Sequence, residues 1–412
     1  MQSDYRKRAI ELLENNEGYA RTGCTLLDCA VGGGIGLGFP FGKILNFVGD
    51  KSSGKTFLAN EIIAANYHTF KKNLKWNYDD AETGYTFDST KMYGFDIMQE
   101  DTLFSNIVEE LDANVFNFLK SVKHKGIYVV DSLDGLCNAD TEEREIKRAA
   151  GIEKAKKEGK SFKDDGTYGM QTQKFLSQEF FRTKASKLND KEALLIFVSQ
   201  IRDKIDAKAF QKKWTRAGGK ALDFYAHTVL ILANITKIKK QDKTIGLVIK
   251  AKTDKSKTPR PYRECEFSLY FDYGIDDIGS NLDYLFNLRG DSGKLTKSQE
   301  QIPWDGGADK NLTNIKEFLK KHECYDHCKE IRKEIEGKNS ISVDWFDEYI
   351  SNQAPDTAKQ DYESFFGKMY TRDELIEKAS TDPDFKREIE IRTIMKWEEI
   401  EDAVKTNRPR KY

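Results

Sequence analysis

Apolar residues along this chain fall into two alternating rhythms. Apolar-rich runs at residues 43–49, 126–131 and 193–200 have the length and the branched-residue content of strands covered on both faces. Between them, residues 56–72, 103–123 and 170–188 space their apolar side chains three and four apart, as at Leu58, Ile62 and Ala65, which predicts helices. Residues 74–82 read as a further strand. Strands alternating with helices predict an α/β fold with a mostly parallel central sheet. Three more strand-like segments, 225–238, 244–253 and 264–273, follow too closely for helical crossovers and predict an antiparallel extension. Ahead of all this, residues 1–20 predict one short amphipathic helix carrying Ile10, Leu12 and Leu13 among charges, and residues 31–42 are rich in glycine.

Beyond about residue 290 the pattern changes. Residues 300–412 hold 26 Asp/Glu against 20 Lys/Arg, a net of −6, with helical apolar spacing. The expected organisation is an N-terminal helical arm over 1–22, an α/β core over 23–290 and an acidic, mainly helical C-terminal domain over 291–412; a chain of 412 residues is long for a single domain. Charged residues make up 33% of the chain, yet with 25 Phe and 18 Tyr there is enough apolar bulk for a core. The net charge of −1 excludes a chain-wide basic surface, so any nucleic-acid contact must be local. The six cysteines (24, 29, 137, 265, 324, 328) show no framework spacing, and neither a secretory leader nor a membrane-spanning apolar run is legible; a reducing, cytoplasmic setting is expected. His322, Cys324, His327 and Cys328 invite a zinc reading, but their spacing fits no standard ligand pair and the run lies in an amphipathic helical pattern.

Chemistry concentrates at the ends of the predicted strands. Gly49-Asp50-Lys51-Ser52-Ser53-Gly54-Lys55-Thr56 follows an apolar strand and opens a helix, the context a phosphate-binding loop requires. Glycines let backbone N–H groups surround phosphates at a helix N-terminus. Lys55 is expected to neutralise β/γ oxygens and Thr56 to offer a hydroxyl to Mg²⁺, which makes ATP with Mg²⁺ the expected ligand. Asp131, closing the run 127–130, is the expected second Mg²⁺-shell residue. Glu82, at the end of the strand beside the loop strand, is the expected base that orients a water, with Asp80 as its competitor. Gln200 ends another apolar strand, where an amide can report the γ-phosphate. After it, residues 202–220 hold seven Lys/Arg (Arg202, Lys204, Lys212, Lys213 and Arg216 among them) against two acids, include Trp214, and close on Gly218 and Gly219. Cations interleaved with aromatic rings suit a single-stranded nucleic acid. Lys250 and Lys252 share one face of a strand and are open to three uses: binding DNA, facing solvent, or reaching a neighbouring subunit's nucleotide.

Over residues 22–290 the chain resembles the RecA-type recombinase family, as a divergent and compact member of the kind bacteriophages encode. The resemblance is carried by residues 42–56, by Asp80-Ala81-Glu82, by Val129-Val130-Asp131-Ser132, by residues 194–205 around Gln200, by the Gly218-Gly219 segment and by Lys250-Ala251-Lys252. It implies a RecA-like P-loop ATPase core, ATP held between subunits, catalytic roles for Lys55, Glu82, Gln200, Lys250 and Lys252, and a helical filament on single-stranded DNA that pairs with a homologous duplex. The charged stretch 141–168 falls where the family has its first DNA-binding loop. The family's adenine-holding Asp and Tyr are not reproduced, leaving Tyr85 and Phe87 as candidates. A ring-forming helicase and a weakly hydrolysing recombination mediator are the alternatives, and the acidic C-terminal domain is expected to screen DNA or recruit a replication or single-strand-binding partner.

Overall fold

The computed structural model describes residues 2–136, 152, 179–203, 214–215, 219–297, 302–304, 312–324, 343–366 and 369–406. Two compact units emerge: one from Met1–Leu285, Arg289–Lys294 and Arg387–Tyr412, the other from Phe286–Leu288 and Leu295–Lys386. Residues from Arg387 onward thus group with the first unit.

The first unit opens with helix α1 (Gln2–Glu14) and the buried helix α2 (Thr25–Gly32). Its centre is an eight-stranded sheet of β1 (Ile44–Gly49), β2 (Leu74–Asp79), β3 (Lys125–Val130), β4 (Ala193–Gln200), β5 (Thr228–Lys240), β6 (Lys243–Ser256), β7 (Glu264–Tyr270) and β8 (Gly274–Asp276), in the order β8-β7-β6-β5-β1-β4-β3-β2. Strands β5, β1, β4, β3 and β2 run parallel, and β6, β7 and β8 extend the sheet antiparallel. Both parts of the expected sheet are therefore present. Strand β1 is buried at every position and β4 at every position but its last, as runs covered on both faces must be. Helices α3 (Lys55–Phe70), α4 (Val108–Ser121), α5 (Phe181–Asp190) and α6 (Asp277–Phe286) belong to the same chain segment. Leu58, Ile62 and Ile63 of α3 pack with Leu45, Phe47 and Ile196, while Phe118 of α4 and Phe181 of α5 pack with Tyr128 and Phe197 in a second cluster.

Two expected boundaries shift. Strand β2 stops at Asp79, so Glu82 lies three residues beyond it, in a turn closed by Thr83 N donating to Asp80 O at 3.2 Å. Asp79 ends the ladder because its carboxylate is buried, accepting from Ser105 N at 2.8 Å and from the Tyr128 hydroxyl at 2.8 Å. Strand β3 likewise ends at Val130, one residue before Asp131. The stretch 141–168 lies outside the described residues apart from residue 152.

The second unit has its own core. Helices α7 (Leu312–Lys321), α8 (Val343–Asn352) and α9 (Asp356–Phe366) enclose Ile315, Phe318, Leu319, Phe346, Ile350 and Phe366. Helix α10 (Arg372–Thr381) starts at a reciprocal cap, in which the Thr371 hydroxyl and the Glu374 carboxylate satisfy each other's backbone N–H. Cys324 is buried here, and His322 Nε2 lies 3.1 Å from an Asp361 carboxylate oxygen. No group of metal-binding side chains occurs among the described residues; His327 and Cys328 lie outside them.

The long helix α11 (Pro383–Ala403) sends Ile391, Ile394 and Trp397 into the core of the first unit, alongside Ala9 of α1 and Leu27 of α2. Charge fixes its position. Arg8 Nε and Arg260 Nη1 flank the Glu398 carboxylate at 2.8 and 2.7 Å, Arg263 pairs with Glu401, and Arg6 meets Glu388 at 2.7 Å.

Candidate nucleotide site

The loop from Gly49 to Thr56 turns between β1 and α3 through two left-handed residues, Ser52 (φ 57°) and Gly54 (φ 86°). Gly54 is free of steric crowding and is needed for its backbone angle, whereas Gly49 is needed for space: a Cβ there would lie 2.3 Å from Ser53 Oγ and 2.5 Å from Leu232 O. Asp50, Lys51 and Ser52 are exposed, Ser53 and Lys55 buried. Lys55 Nζ turns back into the loop and donates to Gly49 O at 2.9 Å and Asp50 O at 2.7 Å. Burial pushes its pKa down, against the pull of Asp131, Asp50 and Glu82. The ammonium is thus held on two carbonyls of the loop itself.

Asp131 accepts from Thr56 Oγ1 at 2.7 Å and from the Tyr78 hydroxyl at 2.6 Å. Burial raises its pKa, and these two hydrogen bonds hold it back. A threonine hydroxyl beside a carboxylate is a hard oxygen donor pair of the kind Mg²⁺ takes, so the residues present fit that ion. Tyr78, fully buried on β2, is the member that sequence reasoning missed; inside an apolar strand it reads as core.

Glu82 stands at the mouth of the same cleft. Its carboxylate accepts from Ser132 Oγ and, at 3.1 Å, from Gln200 Nε2. Asp80 lines the same cleft, and its carboxylate accepts from Tyr85 N at 2.8 Å and so shapes the loop after the turn. The Gln200 backbone N–H donates to Asp134 at 3.0 Å. Lys55, Thr56, Asp131, Glu82 and Gln200, separated by up to 145 residues, are thereby brought to one place by the ends of four adjacent parallel strands. Tyr85 and Phe87 line the cleft with Phe57, whose ring meets Phe87 edge-on at 4.5 Å.

The remaining candidate residues are not gathered there. The backbone at Arg202–Asp203 pairs antiparallel with Trp214–Thr215, which makes the base of a loop, and Gly219 begins a short helix, Gly219–Tyr225. Lys204, Lys212, Lys213, Arg216 and Gly218 lie outside the described residues. Lys250 and Lys252 sit far along the sheet on β6, on a face where β7 presents Glu266 and Glu264 as direct cross-strand partners. Lys250 Nζ is 2.7 Å from Glu264 and 3.8 Å from Glu266; Lys252 Nζ is 3.9 Å from Glu264. No helix among the described residues is long and apolar enough to cross a membrane.

Comparison with known proteins agrees with this geometry. The family model described as the RecA N-terminal domain matches residues 3–276. Protein RecA of Wolinella succinogenes is 31% identical over 324 residues, covering 77% of this chain and 81% of the relative. Protein RecA 2 of Myxococcus xanthus is 28% identical over 348 residues, covering 82% and 86%. Protein RecA of Helicobacter pylori is 32% identical over 266 residues, covering 64% and 68%. The chain belongs to the RecA family and is a RecA-like recombinase, a DNA-dependent ATPase.

Proposed function

We propose that this recombinase hydrolyses ATP in the cleft at residues 49–56 while assembled as a helical filament on single-stranded DNA, and that it pairs that strand with a homologous duplex. The observation that carries this reading is the 3.1 Å hydrogen bond from Gln200 Nε2 to the Glu82 carboxylate. One partner of that bond is the group positioned to orient a hydrolytic water. The other is the last residue of the strand from which the basic, Trp214-bearing loop departs.

In this reading Lys55 leaves the loop carbonyls to neutralise the β/γ-phosphate oxygens, while backbone N–H groups of residues 50–55 cradle them. Thr56 and Asp131 hold Mg²⁺, with Tyr78 fixing the carboxylate. Bound there, Mg²⁺ would neutralise charge on the phosphate oxygens. Glu82 orients the attacking water. A γ-phosphate drawing Gln200 away from Glu82 frees that carboxylate and moves the base of the loop at the same moment. Arg202, Lys204, Lys212, Lys213, Trp214, Arg216, Gly218 and Gly219 make up the single-strand contact, cations tracking phosphates and the indole stacking on a base. Lys250 and Lys252 complete the site from a neighbouring copy, and the acidic segment after residue 290 recruits a replication or single-strand-binding partner.

The test is hydrolysis with and without single-stranded DNA, followed by electron microscopy of the complex with a non-hydrolysable ATP analogue. A steep rise in turnover together with helical filaments is expected. Closed rings that unwind a tailed duplex would replace the filament reading with a translocase.

A further inference from the structure

At the end of the sheet opposite the phosphate loop there is a second cleft, and its chemistry is cationic. Strands β2 and β3 are parallel, with Leu74 opposite Lys125 and Trp76 opposite Ile127, so the loops entering them lie side by side. The cleft between is lined by Lys72, Lys75, Lys123, His124 and Lys125 around Trp76, with Asp101 as its carboxylate. Lys125 is already paired with Glu192 at 2.6 Å. Lys72, Lys75 and Lys123 are exposed and have no ion-pair or hydrogen-bond partner among the described residues.

A single lysine on an edge strand is an ordinary guard against unwanted strand pairing, and Lys75 fits that role. Lys72 and Lys123 do not. They lie on the two entering loops, outside the β2–β3 ladder, and converge on the same concavity. The lining therefore carries an excess of positive charge, which favours an anion there.

The geometry points to a binding site for a phosphate-rich polyanion, either the phosphodiester backbone of duplex DNA or a free polyphosphate. Two features favour phosphate. The cations are lysines, which meet phosphate oxygens as point charges. Asn73 lines the same cleft as a neutral side chain able to donate to phosphate oxygens. Trp76 is committed to the core: its Nε1 donates to Ile97 O at 3.1 Å, and its ring packs edge-on against Tyr67 and Phe95. The indole is therefore not free to stack on bases, and the site reads backbone charge and not sequence.

The experiment uses the full chain with Lys72→Gln, Lys75→Gln and Lys123→Gln combined, pre-saturated with a single-stranded oligonucleotide. Affinity for a blunt duplex is measured across a salt series, and affinity for tripolyphosphate and for a polyglutamate peptide alongside. Weaker duplex binding, with the slope of log affinity against log salt shallower by about three, supports the site and assigns it to DNA. Unchanged duplex binding with weakened tripolyphosphate binding supports it as a free-polyphosphate site. Unchanged binding of both overturns the inference, as does loss confined to the polyglutamate peptide. If the triple variant does not fold, Lys123→Gln alone decides by the same measure, with a slope shallower by about one supporting the site and an unchanged slope overturning it. DNA-stimulated hydrolysis is expected to be unaltered in every variant.

Discussion

On the parallel side of the sheet the candidate site charges lie just past the strand ends; on the antiparallel side they lie on the strands. Glu82 and Asp131 follow β2 and β3, whereas Lys250 and Lys252 are residues of β6 with the buried Ala251 between them. The difference follows from burial. A parallel strand covered on both faces has no wall to carry a charge, so its chemistry is confined to the ends, where buried hydrogen bonds from Tyr78 and Thr56 fix Asp131. An antiparallel strand with one open face can display charge at every second residue. There Lys250 and Lys252 are held by exposed ion pairs, worth about 1 kcal/mol or less each, which exchange partners at little cost.

The comparison can be broken at either side. Lys55→Ala has the largest expected effect, complete loss of productive nucleotide binding in a titration; retained affinity would show that the loop cradle suffices without its cation. Glu82→Gln is expected to lower turnover by about 10²–10⁴-fold with nucleotide binding intact, read by steady-state hydrolysis. Tyr78→Phe strips a buried hydrogen bond from Asp131 and should cost about 1.5–3 kcal/mol in denaturant unfolding. A much smaller loss would mean that Thr56 alone fixes the carboxylate.

Glu61 adds a test by pH. It lies on α3, its carboxylate accepting from the Tyr93 hydroxyl at 3.2 Å and from Ile275 N of β8 at 3.4 Å, and burial pushes its carboxyl up from 4.5 to about 7. The folded state therefore holds this proton more tightly than the unfolded chain. The stability it contributes is complete below about pH 4.5 and is lost as pH rises through about 7. Glu61→Gln should stabilise the protein at neutral and higher pH by on the order of 2 kcal/mol, with no gain below pH 4.5, in melting curves across that range. The smallest effect belongs to the antiparallel side: Glu264→Gln should change stability by less than about 1 kcal/mol. A larger loss would show that the lysine pair is fixed as firmly as Asp131.

Much of this was legible in the sequence where a local rule decides it. Residues 193–200 form a strand with those limits because six consecutive apolar residues offer no place to stop earlier and the buried Ser199 hydroxyl donates to Asn46 on β1 at 2.8 Å. The phosphate loop is legible because glycine spacing, strand and helix coincide within a few residues. The missing parts depend on partners far away in the chain. Asp79 looks like the middle of a strand running to Glu82 until Ser105 and Tyr128 take its carboxylate. Tyr78 gives no local sign that its hydroxyl meets residue 131. Residues 387–403 look like more of the acidic C-terminal segment, and Arg8, Arg260 and Arg263, all far upstream, give Glu398 and Glu401 their place. The lysines at 72, 75 and 123 are dispersed in sequence and become neighbours only because β2 and β3 are adjacent and parallel.

The helix that carries Trp397 closes a core across the chain. Its apolar face fills a core shared with Ala9 and Leu27, so residues far apart in sequence depend on one another for burial. Cutting the chain before Arg387 would open the groove beneath α11 and leave Arg8 and Arg260 without the Glu398 carboxylate between them.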